Sequence, residues 1–266
     1  MNKNELSKAA KLLFDLRLNK SGLSNFPSEF LPDSIEEAYL IQEELKILYI
    51  SLNNNKIIGK KVGCTNKHAQ KQVNIFEPFY GNIFSKYSNI SGCTLKKNNF
   101  YQPYIEPEIS FRIKEDINTS LAPYTIKDSK ILFDKMLPSI EIVDFRFGND
   151  IKKIGIKNLI STNGASEYWI KSNDLFPIDY IDLYNHNVDL IIDNKIIDSG
   201  NTANVLKNPL NSAIWLINKL SSVGEPLLKG QYISTGSCTK AFNLTNKCLI
   251  KADFGILGII KINYSE

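Results

Sequence analysis

Near residue 57 the hydrophobic period of the chain changes, and that change limits the fold more than any other feature. Before it, Leu6, Ala9, Leu12, Leu13 and Leu16 recur at helical spacing, and "DSIEEAYLIQEELKILYI" repeats the pattern. Asp33 stands three residues before Glu36 in the manner of a capping box. The first fifty residues are therefore expected as two helices joined by the Gly- and Pro-containing segment 22–32. From "IIGKKVGCT" onward, short β-rich runs broken by Gly, Pro and Asn take over. "VDLIIDNKIIDSG" predicts a hairpin turning at Asp193 and Asn194. Asn208 and Pro209, then Ala213, Leu216, Ile217 and Leu220, predict one helix that Gly224 ends. The tail "CLIKADFGILGIIKINY" predicts two strands around Gly255 and Gly258. A β-rich body with few helices is α+β rather than doubly wound α/β, with a helical N-terminal module over 1–56 and a β domain over 57–266.

Composition narrows the function. The 266 residues carry 32 basic and 28 acidic side chains, net +4, without a basic stripe interleaved with aromatics. Nucleic acid is not an expected partner. Cys64, Cys93, Cys238 and Cys248 are scattered and form no CxxC pair, so they predict reduced thiols rather than a disulfide framework or a zinc site. No apolar run reaches the ~18 residues of a membrane span, and "MNKNELSKAAKLLFDLRLNK" lacks a signal peptide's apolar block. No membrane partner is expected, and the predicted location is the cytoplasm.

The stretch "YIEPEISFR" (104–112) sets Glu106 and Glu108 either side of Pro107 in an otherwise apolar run. Alternation along a strand turns both glutamates to one face, with Tyr104 and Ser110, and sends Ile105, Pro107, Ile109 and Phe111 to the other. Two adjacent like charges repel, more so away from water. Either this is the wet face of an edge strand, which also tolerates Pro107, or something positive lies between the acids. A second β-like run, "LPSIEIVDFRF", carries Glu141 between Ile140 and Ile142. Three strand-borne glutamates suit one divalent cation, and an all-oxygen site favours magnesium or manganese over zinc.

The segments "GKKVGCT", "IEPEISF", "PSIEIVDFRF", "KNPLNSAIWLINKLSSVGEPLLKGQYISTGSCT" and "ADFGILGIIKI" resemble, in order and approximate spacing, the 2-keto-4-pentenoate hydratase and 4-oxalocrotonate decarboxylase group of the fumarylacetoacetate hydrolase superfamily. The resemblance spans nearly the whole chain. It implies a mixed β-sandwich or roll with the site at its mouth, and Glu106, Glu108 and Glu141 as ligands of Mg2+ or Mn2+. It further implies a homo-oligomer, association between hydratases and decarboxylases, and a small 2-oxo acid or dienoate substrate. The activity so implied is hydration of a 2-hydroxypenta-2,4-dienoate-like substrate to a 4-hydroxy-2-oxo acid. The alternatives are decarboxylation of a 4-oxalocrotonate-type 2-oxo acid, or a non-catalytic assembly partner.

Within "GKKVG" the resemblance points to Lys61 as the active-site lysine, and alternation sends Lys60 to the opposite side, where it stays solvated. "ISTGSCT" (233–239) offers Thr235 and Ser237 to a substrate carboxylate, and Ser166 in "TNGASEYW" lies where relatives have an Asn-Ala-Ser-Ser run. In "FEPFYGNIF" this chain has Phe79 where hydratases of the group often carry an acid, and Glu77 precedes it by two residues. His68 and His186 have no catalytic or metal-binding spacing and read as surface or loop residues, and Cys238 as a packing residue.

Overall fold

The computed structural model describes residues 1–148 and 150–266, apart from the side chain of His68. Helix α1 (Lys3–Leu18) begins on a capping box in which the Asn2 side chain accepts from the Glu5 amide and the Glu5 carboxylate accepts from the Asn2 amide. Helix α2 (Ile35–Ile50) is capped one residue later than expected. Ser34, not Asp33, accepts from the Glu37 amide at 3.1 Å, and the Glu37 carboxylate accepts from the Asp33 amide at 2.8 Å. The serine wins because its extended backbone turns the hydroxyl onto the open first turn. Leu13 and Phe14 of α1 and Ile41 and Leu45 of α2 form one apolar cluster with Phe79, Phe84 and Tyr87.

Strand β1 (Ile57–Gly63) opens the β body, followed by α3 (Lys67–Val73), β2 (Phe79–Phe84), β3 (Ser88–Ile90) and β4 (Cys93–Lys96). The two long central strands are β5 (Pro103–Ile113) and β6 (Phe133–Asp144), with α4 (Ser129–Leu132) between them. Helix α5 (Ile151–Ser161) and β7 (Ser166–Lys171) follow, then the hairpin β8 (Asn187–Ile192) and β9 (Lys195–Asn201). Asp193 and Asn194 make its two-residue turn, both at positive φ. Helix α6 (Pro209–Ser222) starts on the Asn208 side chain, and β10 (Tyr232–Ser237), β11 (Phe242–Asn243), β12 (Cys248–Asp253) and β13 (Ile259–Ser265) complete the chain.

Among the described residues the strands form two sheets, one in the order β2-β1-β10-β5-β6-β7-β3 with β11 beside β5, the other β4-β13-β12-β8-β9. Their inner faces share one apolar core with α6, to which Ile109, Phe111, Leu190, Leu216, Ile250 and Ile262 contribute. Among the described residues, no helix is long and apolar enough to cross a membrane. The four cysteines are free thiols, and Cys238 is fully buried in the core.

β5 is central, flanked by β10 and β6. That rules out the wet edge strand and leaves the acids needing a partner. Pro107 is tolerated because its missing N–H falls on the side where β10 bulges: Ser234 pairs with Ser110 and Ser237 with Glu108, so β10 spends one extra residue there.

A buried ion network ties α1 to the β body. Arg146 contacts Asp144 and Glu167, each at 2.9 Å, and Arg17 contacts Glu167 at 3.1 Å. Arg146 also donates to the carbonyls of Leu16 and Ser21. Removing one member of such a network strands the others without water. Arg146→Ala is therefore expected to destabilise the protein by about 3–5 kcal/mol, read as a lowered urea midpoint.

Candidate metal centre and active site

Register builds the site. Glu106 on β5 lies directly opposite Glu141 on β6, and Glu108 faces Ser139. On the other flank, Lys61 of β1 pairs with Ser234 of β10, which pairs with Ser110 of β5. One carboxylate oxygen from each of Glu106, Glu108 and Glu141 lies within 4.8 Å of the other two, a group able to hold a metal ion. Glu108 and Glu141 are fully buried, and Glu106 is half-buried at the mouth. Lys61 Nζ lies 3.1 Å from Glu141 Oε2 and 5.5 Å from the centre of the Phe79 ring.

Fully ionised, three carboxylates against one ammonium would leave two net negative charges in a pocket of low exposure. Oε1 of Glu141, Oε1 of Glu108 and the hydroxyl of Ser237 are buried without a hydrogen-bond partner, and Oε2 of Glu141 faces the Lys61 ammonium. Buried acceptors of this kind are rare without a ligand to satisfy them. The donor set fits a hard divalent cation, since all three ligands are oxygens.

Burial and the charge of Glu141 push the Glu106 carboxyl up to about 7, against the pull of Lys61. Burial, Glu141 and Glu106 push Glu108 well up, against the hydrogen bond from Ser234. Burial alone would lower Lys61, but Glu141, Glu106 and Glu108 outweigh it and raise it. A carboxyl raised on folding binds more protons in the folded than in the unfolded state. The stability it supplies is present at low pH and lost as pH rises. In EDTA the melting midpoint is thus expected to fall between the ordinary carboxyl value of 4.5 and about 7. Added Mn2+ should reduce that fall, because the cation binds the ionised form.

The site's cavity of about 90 Å³ is lined by Lys61, Cys64, Phe79, Glu106, Gly164 and Ser237. An outer vestibule of about 800 Å³ shares Glu106, Phe145 and Ser237 and adds Tyr104 and Lys240. Gly164 has φ of 64°, and a Cβ there would lie 2.8 Å from Lys61 Cε and 2.7 Å from the Phe79 ring. The glycine is thus required where the chain passes beside the lysine.

Not every expected residue reaches this pocket. Ser237 lines it, but the Thr235 hydroxyl donates to the Ile109 carbonyl at 2.7 Å and is fully buried away from it. The cause is the β10 bulge: Gly236 sits at φ 105°, so Ser234 and Ser237, rather than Thr235 and Ser237, share the glutamates' face. Ser166 lines a separate small cleft with Arg17, Arg146 and Glu167. The turn Asn163–Ala165, all at positive φ, carries Gly164 and not Ser166 to the lysine.

Lys60 is not solvated. It is buried, with Nζ 2.8 Å from Asn82 Oδ1 and 2.7 Å from Glu225 Oε1. Glu77 stays outside, paired with Lys219 at 2.8 Å. His186 donates to the Phe254 carbonyl at 2.8 Å, far from any catalytic pairing, and the His68 side chain lies outside the described residues. Sequence reasoning missed Gly164, Phe145 and Lys240 in the walls, and Ser234 behind Glu108. Alternation on β5 signals only Tyr104 and Ser110.

No protein-family model matches the chain. It is 26% identical over 230 residues to the 2-keto-4-pentenoate hydratase of Burkholderia vietnamiensis, covering 86% of each chain. To the 4-oxalocrotonate decarboxylase of Pseudomonas putida it is 25% identical over 242 residues, 91% of this chain and 89% of that one. Among solved structures it superimposes on 4-oxalocrotonate decarboxylase from Pseudomonas putida G7, complexed with magnesium and adipate, with a TM-score of 0.92 at 24% identity, over 99% of this chain and 98% of that one. On fumarylpyruvate hydrolase from Pseudomonas aeruginosa, in complex with Mn2+ and pyruvate, the TM-score is 0.59 at 9% identity, over 77% and 88% of the two chains. The chain shares the fold of these solved structures, a mixed helix and sheet architecture of the fumarylacetoacetate hydrolase type. By sequence, the chain is homologous to proteins named 2-keto-4-pentenoate hydratase and 4-oxalocrotonate decarboxylase.

Proposed function

We propose that this protein is a lyase that hydrates 2-hydroxypenta-2,4-dienoate-like substrates to 4-hydroxy-2-oxo acids, using a divalent cation held by Glu106, Glu108 and Glu141. The observation that carries the reading is a pocket in which three converging glutamates, with unpartnered carboxylate oxygens, face one buried lysine at its wall. Mg2+ or Mn2+ bound there would supply Lewis acidity to the carboxylate and C2 oxygen of a 2-oxo acid or its enol. Lys61 is the group that holds a proton beside the reacting carbons, and the Glu141 carboxylate 3.1 Å away keeps it oriented. Ser237, with a free hydroxyl at the cavity wall, donates to the substrate carboxylate. Phe79 keeps bulk water off the ammonium side of the pocket.

Phe79 also supports a second reading, decarboxylation of a 4-oxalocrotonate-type 2-oxo acid, because an apolar wall offers no acid to manage an attacking water. We read residues 1–56 as a helical module and 57–266 as the catalytic domain. The same account makes the protein a cytoplasmic homo-oligomer, able to associate with a hydratase or decarboxylase of its own group.

The test is the ultraviolet absorbance of freshly generated 2-hydroxypenta-2,4-dienoate incubated with the protein and Mg2+ or Mn2+. Metal-dependent loss that EDTA abolishes supports hydration. No loss, together with CO2 release from 4-oxalocrotonate, transfers the assignment to the decarboxylase. Neither reaction under any metal would leave only the non-catalytic assembly partner.

A further inference from the structure

Behind Glu108 runs a line of buried hydroxyls that none of these steps uses. Ser234 Oγ donates to Glu108 Oε2 at 2.5 Å, Trp169 Nε1 donates to Ser234 Oγ at 3.1 Å, and Ser110 Oγ donates to Ser234 Oγ at 3.2 Å. Ser110 and Ser139 share a 2.7 Å hydrogen bond. Ser110, Ser139 and Ser234 have no exposed surface, and Trp169 is 1% exposed.

A hydroxyl carries one proton, and an indole nitrogen only donates. Because Ser234 directs its proton at Glu108, it accepts from both Trp169 and Ser110. Ser110 has then used its own proton and accepts from Ser139 at 2.7 Å, although the Ser139 hydroxyl also lies 3.4 Å from the Glu108 backbone carbonyl as an alternative acceptor. With Ser139 donating to Ser110, the donors of Ser110, Trp169 and Ser234 all run toward the Glu108 carboxylate. With Oε2 engaged from behind, Oε1 is left unpartnered, on the carboxyl that lies within 4.8 Å of Glu106 and Glu141.

We propose that Ser234, braced by Ser110 and Trp169, is a positioning residue that locks the Glu108 side chain with Oε1 turned to the cation before the cation arrives. The inference rests on the metal reading above. Outer partners of this kind typically change metal affinity by roughly 10–100-fold when removed.

The experiment is calorimetric titration of metal-stripped protein with Mn2+, without substrate, alongside melting curves in EDTA. Ser234→Ala is expected to weaken Mn2+ binding by roughly tenfold or more while its melting curve in EDTA stays cooperative. Ser234→Thr, which keeps the hydroxyl, should bind within about threefold of wild type, a rescue that a merely structural role for the serine would not give. Trp169→Phe and Ser110→Ala should weaken binding less and in the same direction, and they carry the test if Ser234→Ala does not fold. Folded Ser234→Ala that binds Mn2+ within twofold of wild type overturns the positioning role alone. Wild-type protein that takes up no Mn2+ overturns the metal reading beneath it.

Discussion

Glu141→Gln is expected to abolish Mn2+ binding and to lower metal-dependent turnover by at least about a thousandfold, since a thousandfold corresponds to ~4 kcal/mol of transition-state stabilisation and a Lewis-acid metal supplies several. The amide keeps the shape of the side chain and removes its charge. Glu141 is the residue opposite Glu106 in register and the partner of Lys61, so the change breaks the triad and the lysine contact together. Saturating Mn2+ should raise the melting midpoint of the wild type by binding only the folded state and leave that of the variant unchanged. A variant that still gains stability from Mn2+ would show the cation is held elsewhere.

Lys61→Ala separates the chemistry from the metal. Removing the ammonium beside the triad leaves two buried carboxylates and one half-buried carboxylate facing each other, so the metal-free variant should be less stable than wild type. Its Mn2+ affinity should rise, because the site has lost a competing positive charge. Turnover should nevertheless fall by roughly 10²–10⁴, the range of a lost general acid–base group. The two variants thus move metal affinity in opposite directions while both lose activity. Calorimetry and the absorbance assay, run on the same preparations, read both quantities; turnover retained in Lys61→Ala would remove the lysine from the mechanism.

Local patterns in the chain reveal much of this. The parity of Glu106 and Glu108, the Asp193–Asn194 turn and the Asn208 cap each follow from neighbours within a few residues, and the structure keeps them. What parity cannot reveal is a break in parity. Thr235 leaves the site because of one bulge residue at Gly236, and Ser166 leaves it because three consecutive residues adopt positive φ. Lys60 is buried by Asn82 and Glu225, 22 and 165 residues away in sequence, a partnership that no local pattern encodes. Ser234 is likewise invisible until β10 is laid beside β5, since its role comes from register with Ser110 and from Trp169, 65 residues distant.

The central claim is that Glu106, Glu108 and Glu141 together hold one divalent cation beside Lys61. It is tested most directly by anomalous scattering from a crystal grown with Mn2+. The account predicts one strong peak bonded to an oxygen of each of the three glutamates, with Lys61 Nζ nearby and not coordinated. A map with no peak there, and with Lys61 alone bridging the carboxylates, would contradict it.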